Sequence, residues 1–237
     1  AIKTSQFLSC FNRISVSERK FSMRLSLSHP EYFTLTGPDG NTYCGGDQEW
    51  FPDRWQRRAG CGPTAAATIL RYLSRAHPGL AAMGPGADTP DFSAYMEALW
   101  PHLTPGPRGL DQAADFVLGC RSFALTRGCV LLGEILEIPD RTRQDRPALA
   151  ACRDFLAEAL YADLPVAFLN YSSGSVDNLD NWHWVTLIAM EEEPSGKLPC
   201  LILDGGAEKV IDFTQWLNTS APGGALAVVY PMIELEE

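Results

Sequence analysis

The chain has 237 residues, of which 46% are hydrophobic and 20% charged, and its 19 basic and 29 acidic side chains give a formal net charge of −10. This length and apolar content predict one globular domain over residues 1–237 and exclude a disordered acidic tail. The acidic balance argues against nucleic acid as a partner. No apolar run approaches the ~18 residues of a membrane span, so we expect no membrane partner either.

The first 30 residues differ from the remainder in charge, with five basic side chains and one acidic side chain. Such a Ser-rich, basic start is also typical of a targeting segment. Within it, however, apolar and polar residues alternate over 21–28, which predicts a half-buried strand. We therefore expect segment 1–30 to belong to the fold, as an added strand or as a cover over the acidic body.

The chain beyond this segment begins with short strands and continues with helices. Strands are predicted at 32–36 and 41–44, on either side of a Gly-Pro-Asp-Gly turn. Apolar spacing and proline punctuation then predict helices at 64–74, 92–99 and 110–118.

The second half changes character after a predicted helix over 147–161. Apolar runs of strand length follow at 166–169, 184–190, 201–203 and 225–230. Helices early and strands late, without βαβ alternation, predict an α+β fold in which a helical lobe packs on a largely antiparallel sheet. A cleft between the two lobes is the expected place for a ligand.

Cys61 is the residue that most clearly suggests chemistry. It lies between Gly60 and Gly62, and Pro63 suits the first turn of a helix, where a missing N–H costs little. A cysteine at a helix start lies near unpaired N–H groups and the positive end of the helix dipole, which favours the thiolate. Flanking glycines further suggest that the backbone approaches another group closely. Cys61 is therefore the predicted nucleophile.

The remaining cysteines suggest structural roles. The seven cysteines of the chain are scattered and contain no C-x-x-C pair, which predicts free thiols in a reducing, cytoplasmic setting rather than a disulfide framework. Cys44 is the competing nucleophile, but no helix begins beside it. Four cysteines in or beside apolar segments are predicted to be core residues: Cys120, Cys129, Cys152 and Cys200. No cluster has metal-ligand spacing, and no cofactor is indicated.

A cysteine nucleophile needs a general base and a group that orients this base. His183 opens the predicted strand over 184–190, behind a long polar loop, and is the candidate base. Asp204 ends the next predicted strand and is the candidate orienting group. Asp180 and Asn181 are alternatives, although their closeness in sequence to His183 makes the geometry less natural.

Substrate contacts are suggested by residues around these three. Gln48 and Gln56 both precede Cys61 and are alternative side-chain donors for an oxyanion hole, beside the Cys61 backbone N–H. Three tryptophans are candidate walls of a substrate cleft: Trp50, Trp182 and Trp184.

The pattern resembles a known enzyme family. Its residues are Gly-Cys-Gly-Pro-Thr-Ala-Ala-Ala at 60–67, Tyr-Leu at 72–73, Leu-Pro-Val at 164–166, Asn-Trp-His-Trp-Val-Thr at 181–186 and Leu-Asp-Gly at 203–205. Together they resemble the papain-like cysteine peptidases, and within these the bacterial branch related to bacteriocin-leader-processing, double-glycine peptidases.

The resemblance implies a papain-like fold and thiolate attack on an amide carbonyl, through an acyl-enzyme. It implies that Cys61 is the nucleophile, His183 the base and Asp204 the orienting group, and it favours Gln48 over Gln56 for the oxyanion hole. The expected partner is thus a peptide or protein substrate. Alternative hypotheses are a catalytically silent peptide-binding module on the same scaffold and amidase-like or transglutaminase-like acyl transfer.

Overall fold

The computed structural model describes residues 23–36, 40–85 and 89–232. In this part of the chain, most helices lie before residue 162 and most strands lie after it. The strands are β1 (Met23–Ser26), β2 (Thr34–Thr36), β3 (Thr42–Cys44), β4 (Leu131–Ile138), β5 (Val166–Asn170), β6 (His183–Glu192), β7 (Pro199–Asp204), β8 (Ala207–Asp212) and β9 (Gly224–Pro231). The helices are α1 (Arg54–Ala59), α2 (Cys61–Ala76), α3 (Thr89–Leu99), α4 (Ala113–Thr126), α5 (Leu149–Tyr161) and α6 (Phe213–Thr219).

Seven strands form one sheet in the order β4-β9-β5-β6-β7-β8, with β1 also paired to β6. Each of these pairings is antiparallel. The prediction of an α+β fold with a largely antiparallel sheet is therefore confirmed. A separate two-stranded hairpin joins β2 to β3.

One edge of β6 is divided between two partners. β5 pairs with the first half of β6, and β1 pairs with the second half, from Ala189 to Glu192. The strand predicted over 21–28 is thus confirmed at Met23–Ser26, whereas residues 1–22, including the proposed cover, lie outside the described residues. On the other edge, β7 pairs with β6 as a hairpin neighbour.

Helix α2 lies at the centre of the molecule and is buried from Gly62 to Ser74. The small residues Ala65, Ala66 and Ala67 are almost completely buried, because their short side chains let the helix pack closely on β6, β5 and α4. Alanine also has the highest helix propensity, so local preference and packing agree here.

Polar contacts beside α5 attach the segment that follows β1 to the body of the fold. Asp163 has a positive φ of 60° and accepts hydrogen bonds from the Ser28 N–H at 2.6 Å and from the Tyr72 hydroxyl at 2.7 Å. The Tyr72 oxygen in turn accepts from the His29 N–H at 3.3 Å. Tyr72 of α2 is completely buried, so these contacts link the N-terminal segment to the central helix.

Several elements differ from the sequence predictions. The predicted strand at 32–36 begins with a 3₁₀ turn at Pro30–Phe33, because proline at the first position favours a helical turn. The helix predicted over 110–118 begins later and continues to Thr126. Elements that no prediction covered are α1, α6, β4 and β8. None of the helices in the described ranges has the length and apolar character to cross a membrane.

Candidate active site

Cys61 is the first residue of α2, and Gly60 is the N-cap. The glycines on both sides of it have packing reasons. A Cβ at Gly60 would lie 2.6 Å from the Phe51 ring, and one at Gly62 would lie 2.8 Å from the Leu110 side chain. The close approach expected from the flanking glycines is therefore to the protein's own core, which fixes the start of the helix that carries Cys61.

His183 and Asp204 are brought together by the pairing of β6 with β7. Thr186 pairs with Leu203, and continuing this register by one residue places Asp204 opposite Val185, on the face that His183 shares. The His183 Nε2 atom lies 2.7 Å from Asp204 Oδ1. Their side chains are only 13% and 8% exposed, so the hydrogen bond is shielded from water.

Cys61 lies beside the His183 side chain, close enough to contribute to the raised pKa of the ring, and both residues line one cavity. Since Asp204 occupies Nε2, the ring nitrogen that remains for the sulfur is Nδ1. The structure thus brings Cys61, His183 and Asp204 together as one series of neighbouring groups. Of the alternative orienting groups, Asn181 accepts from the Ser173 N–H at 2.7 Å instead, and Asp180 lies beside the series without replacing Asp204.

The protonation of His183 and Asp204 follows from this series. Burial alone would lower the pKa of His183, but the interactions with Asp204 and Cys61 outweigh it and raise the pKa to about 10. Burial alone would raise the pKa of Asp204, but the hydrogen bonds from His183 and Lys209 hold this pKa below its usual range. These contacts therefore favour the imidazolium form of His183 and the carboxylate form of Asp204.

Lys209 is a further member of the site that no sequence prediction included. Its Nζ atom lies 2.7 Å from Asp204 Oδ2, the carboxylate oxygen that His183 does not use. In the β7–β8 hairpin Lys209 pairs with Ile202, two residues from Asp204 on the same face. The Gly-Gly sequence at 205–206, which is typical of a two-residue hairpin, was the signal from which this contact could have been found.

The two candidate oxyanion glutamines lie in different environments. Gln48, in a 3₁₀ turn, lines the same cavity as Cys61 and His183, and its Oε1 atom is buried without a hydrogen-bond partner. Gln56 belongs to the capping box at the start of α1, where its Oε1 accepts from the Asp53 N–H. Gln48 is therefore the glutamine that the structure places with Cys61.

The three candidate cleft tryptophans are separated. Trp184 lines the cavity but is 3% exposed, stacks on Phe116 and donates its indole N–H to the Leu110 carbonyl at 2.6 Å. Trp50 packs edge-on against Tyr43 and does not line the cavity, and Trp182 is an exposed neighbour of His183 outside the lining. Of the three tryptophans, Trp184 is the one that lines this cavity, and a substrate contact by Trp50 or Trp182 stays a prediction.

The other cysteines of the described residues are free thiols without this environment. Cys44 lies 3.4 Å from Glu208 Oε1, and burial together with this carboxylate raises its pKa to about 12. The prediction of core positions is confirmed for the remaining four, which are buried: Cys120, Cys129, Cys152 and Cys200. Cys10 lies outside the described residues.

A cavity of about 190 Å³ opens beside Cys61. One wall comes from residues 46–49 and the start of α2, and the other comes from β6, the end of β7 and Asp180. This volume accommodates one side chain of a ligand, next to the sulfur.

Asp180, His183 and Asp204 are the one group of three potential metal ligands in the described part of the chain, with ligand atoms within 4.8 Å of one another. The same atoms already have partners, since His183 binds Asp204 and Lys209 places an ammonium on the other Asp204 oxygen. A metal ion there would meet this ammonium and would have to break both hydrogen bonds.

Among known proteins, no family model matches the chain and no curated protein matches it. The chemistry of the site therefore rests on its own residues.

Proposed function

We propose that the chain is a cysteine peptidase with a papain-like fold, which hydrolyses an amide bond of a peptide or protein through an acyl-enzyme. The observation that carries this proposal is the series from Cys61 through His183 to Asp204 at the wall of an open cavity. A thiol beside an imidazole that is held by a carboxylate is the arrangement of nucleophile, base and orienting group that thiol acyl transfer needs.

The first half of the proposed reaction forms the acyl-enzyme. The proton shared between the Cys61 sulfur and His183 Nδ1 lies on the imidazole when the sulfur attacks the carbonyl carbon of the scissile amide. The oxyanion is stabilised by the Cys61 backbone N–H, which has no intrahelical acceptor at the helix start, and by the Gln48 carboxamide. The carbon–nitrogen bond then breaks as His183 donates the proton to the leaving amine.

The second half hydrolyses the thioester. Water takes the place of the amine, and His183 removes a proton from it as it attacks the same carbonyl carbon. The carbon–sulfur bond breaks, and the Cys61 sulfur regains its proton from His183. Asp204 keeps the ring orientation in both halves, and Lys209 supports this carboxylate through its second oxygen.

The proposal predicts selective alkylation of Cys61 by iodoacetamide at pH 7. We expect Cys61 to react faster than Cys44, because the raised pKa of Cys44 keeps it a thiol. In His183→Ala, the alkylation of Cys61 should be slower by about tenfold or more. Peptide mass mapping of each cysteine over time measures these rates. Equal, slow labelling of Cys61 and Cys44 would contradict an activated nucleophile.

Cleavage is tested on a mixed peptide library, with the wild-type chain compared with Cys61→Ala. We expect new peptide termini only with the wild-type chain, because Cys61→Ala retains the fold and the cavity but lacks the sulfur. Mass spectrometry of the products measures this. Identical products from both proteins would overturn the proposed function.

A further inference from the structure

The cavity beside Cys61 has an excess of negative charge. Its lining contains four carboxylates, from Asp47, Glu49, Asp180 and Asp204, and one lysine, Lys209. Asp204 is already compensated, since it lies 2.7 Å from both His183 and Lys209. The uncompensated charge therefore belongs to the other three carboxylates.

These three carboxylates have no ion-pair partner in the part of the chain that the structure describes. Asp47 uses one oxygen to cap the Glu49 N–H at 2.9 Å, which leaves its charge in place. Asp180 has a carboxylate oxygen within 4.8 Å of the ligand atoms of His183 and Asp204. A cation bound by Asp180 would thus lie beside His183, in the same cavity as the Cys61 sulfur.

A second, independent feature of the cavity is an unused hydrogen-bonding group. Thr64 lines it from the first turn of α2 and is only 8% exposed, yet its Oγ1 atom has no partner among the described residues. A buried hydroxyl without a partner costs free energy, which a ligand that hydrogen-bonds to it recovers. The cavity therefore offers negative charge and a polar contact together.

Hydrogen bonds from Asn170, at the end of β5, hold the loop that carries Asp180. Asn170, which is fully buried, donates its Nδ2 hydrogen atoms to the Asp180 carbonyl at 2.8 Å and to the His183 carbonyl at 3.4 Å. One side chain thus fixes both the acidic residue and the base. The position of the Asp180 backbone relative to the reacting sulfur is set before any ligand binds.

We propose that the cavity selects peptides with a lysine or arginine side chain next to the cleaved bond, with Asp180 as the main contact and Asp47 and Glu49 as the opposite wall. This inference rests on the proposed function and names its substrate class. An ammonium or guanidinium on a flexible side chain can reach Asp180 from solvent and leave Lys209 on Asp204. A metal ion bound between Asp180 and Asp204 would instead be repelled by the Lys209 ammonium.

The first test compares peptides that differ only in having Lys, Gln or Glu beside the scissile bond. We expect the wild-type chain to show kcat/KM about tenfold higher for Lys than for Gln, with Glu lower still, and this preference to weaken in 0.5 M salt. Asp180→Asn should reduce the Lys-to-Gln ratio severalfold. Asp177→Asn, an exposed acidic residue of the same loop outside the cavity lining, is the matched control and should leave the ratio unchanged.

The second test does not depend on turnover. Two methanethiosulfonate reagents, one ending in trimethylammonium and one in sulfonate, each form a disulfide with Cys61 and release a sulfinate. The quantity compared is the rate of Cys61 modification by the cationic reagent divided by the rate with the anionic reagent. We expect this ratio to be about tenfold higher in the wild-type chain than in Asp180→Asn. The comparison uses a Cys10→Ser background and mapping of the modified peptide.

The outcomes separate the inference from the proposed function. Cleavage without preference for Lys, together with equal reagent rates, overturns the inference and leaves the peptidase in place. Absence of any cleavage, with the reagent ratio intact and sensitive to Asp180→Asn, overturns the peptidase and supports a cavity for cationic side chains. A ratio that falls in Asp177→Asn as much as in Asp180→Asn overturns the role of Asp180.

Discussion

His183 is the residue on which the largest number of site contacts converge. Its ring contacts Cys61 on one side and Asp204 on the other, and its pKa is raised to about 10 despite burial. A histidine held as an imidazolium stabilises an adjacent thiolate and is ready to donate a proton to a leaving amine. The unfolded protein lacks these contacts, so the raised pKa of His183 also affects stability.

The raised pKa of His183 predicts a loss of stability at alkaline pH. The folded-state pKa of about 10 lies above the ordinary value of 6.5, so the contribution is complete below about pH 6.5 and disappears as the pH rises through about 10. We expect His183→Gln to lower the free energy of unfolding at pH 6, and to lower it by a smaller amount at pH 10. Urea titrations at both pH values measure this difference.

The matched control for this prediction is His102→Gln. The His102 ring lies 2.9 Å from the uncharged Ser122 hydroxyl, so replacing it removes a histidine without removing a charged contact, and the result is the baseline against which His183→Gln is compared. A His183→Gln difference that stays constant between pH 6 and pH 10 would contradict the charged contacts assigned to His183.

Some individual residues of the site could be predicted from the sequence. A cysteine between glycines before a proline, a histidine at the start of an apolar run and an aspartate at the end of the next run all carry local signals. Lys209 carries none as an isolated residue, because its contact with Asp204 depends on the register of a hairpin. The sequence does not separate Trp184, which lines the cavity, from Trp50 and Trp182, which do not, because an aromatic residue in a sequence does not reveal which way its ring faces.

At the scale of elements, the turn between β7 and β8 connects the two walls of the site. Gly205 and Gly206 have φ values of 58° and 72°, as a two-residue hairpin of this type requires. The Gly206 N–H donates to the Gly46 carbonyl at 3.1 Å, and its carbonyl accepts from the Cys44 N–H at 2.7 Å. The turn that follows Asp204 therefore also holds the segment that leads to Gln48.

Gly206→Ala is predicted to destabilise the chain more than Gly205→Ala. Both place alanine at a positive φ, at a cost of roughly 1–2 kcal/mol, but a Cβ at Gly206 would also lie 2.7 Å from the Tyr43 ring, whereas none of the atoms around Gly205 lies within 4 Å. We expect a further ~1–3 kcal/mol at Gly206. Chemical denaturation of both variants measures this, and equal losses would contradict the close contact with Tyr43.

Some elements could be predicted from the sequence and others could not. The apolar runs that became β5, β6 and β9 are central strands buried on both faces, so their composition identifies them. β4 and β8 lie at the two ends of the sheet and carry charged residues such as Glu134 and Lys209, which hide the strand pattern. Edge position therefore explains why these two strands were missed.

For the whole molecule, the contacts around Asp163 join parts of the chain that are far apart in sequence. Asp163 follows α5, Tyr72 lies in α2 and Ser28 follows β1, which in turn pairs with the strand that carries His183. Burial and the Asp163 carboxylate raise the pKa of Tyr72, so its hydroxyl remains a donor at all working pH values.

Tyr72→Phe is predicted to loosen the N-terminal segment. Removal of the hydroxyl leaves the His29 N–H without its acceptor and Asp163 without one donor, at a cost of about 1–3 kcal/mol. We expect faster hydrogen exchange at Ser28 and His29 in the full chain, together with a lower denaturation midpoint. Tyr95→Phe, at a buried tyrosine whose hydroxyl has no hydrogen-bond partner among the described residues, is the control and should change stability by less than ~0.5 kcal/mol. Equal exchange in both variants would contradict the link.

Asp204 accepts from His183 with one carboxylate oxygen and from Lys209 with the other, and this arrangement limits which residues can replace it during evolution. Asparagine at position 204 would still accept from His183 through its amide oxygen, but its NH₂ group would then face the Lys209 ammonium, donor against donor. A lysine at 209 is compatible with a carboxylate at 204 and unfavourable with an amide. Among related sequences, the identities of these two positions should therefore vary together, with a basic residue at 209 accompanying aspartate and a neutral residue accompanying asparagine.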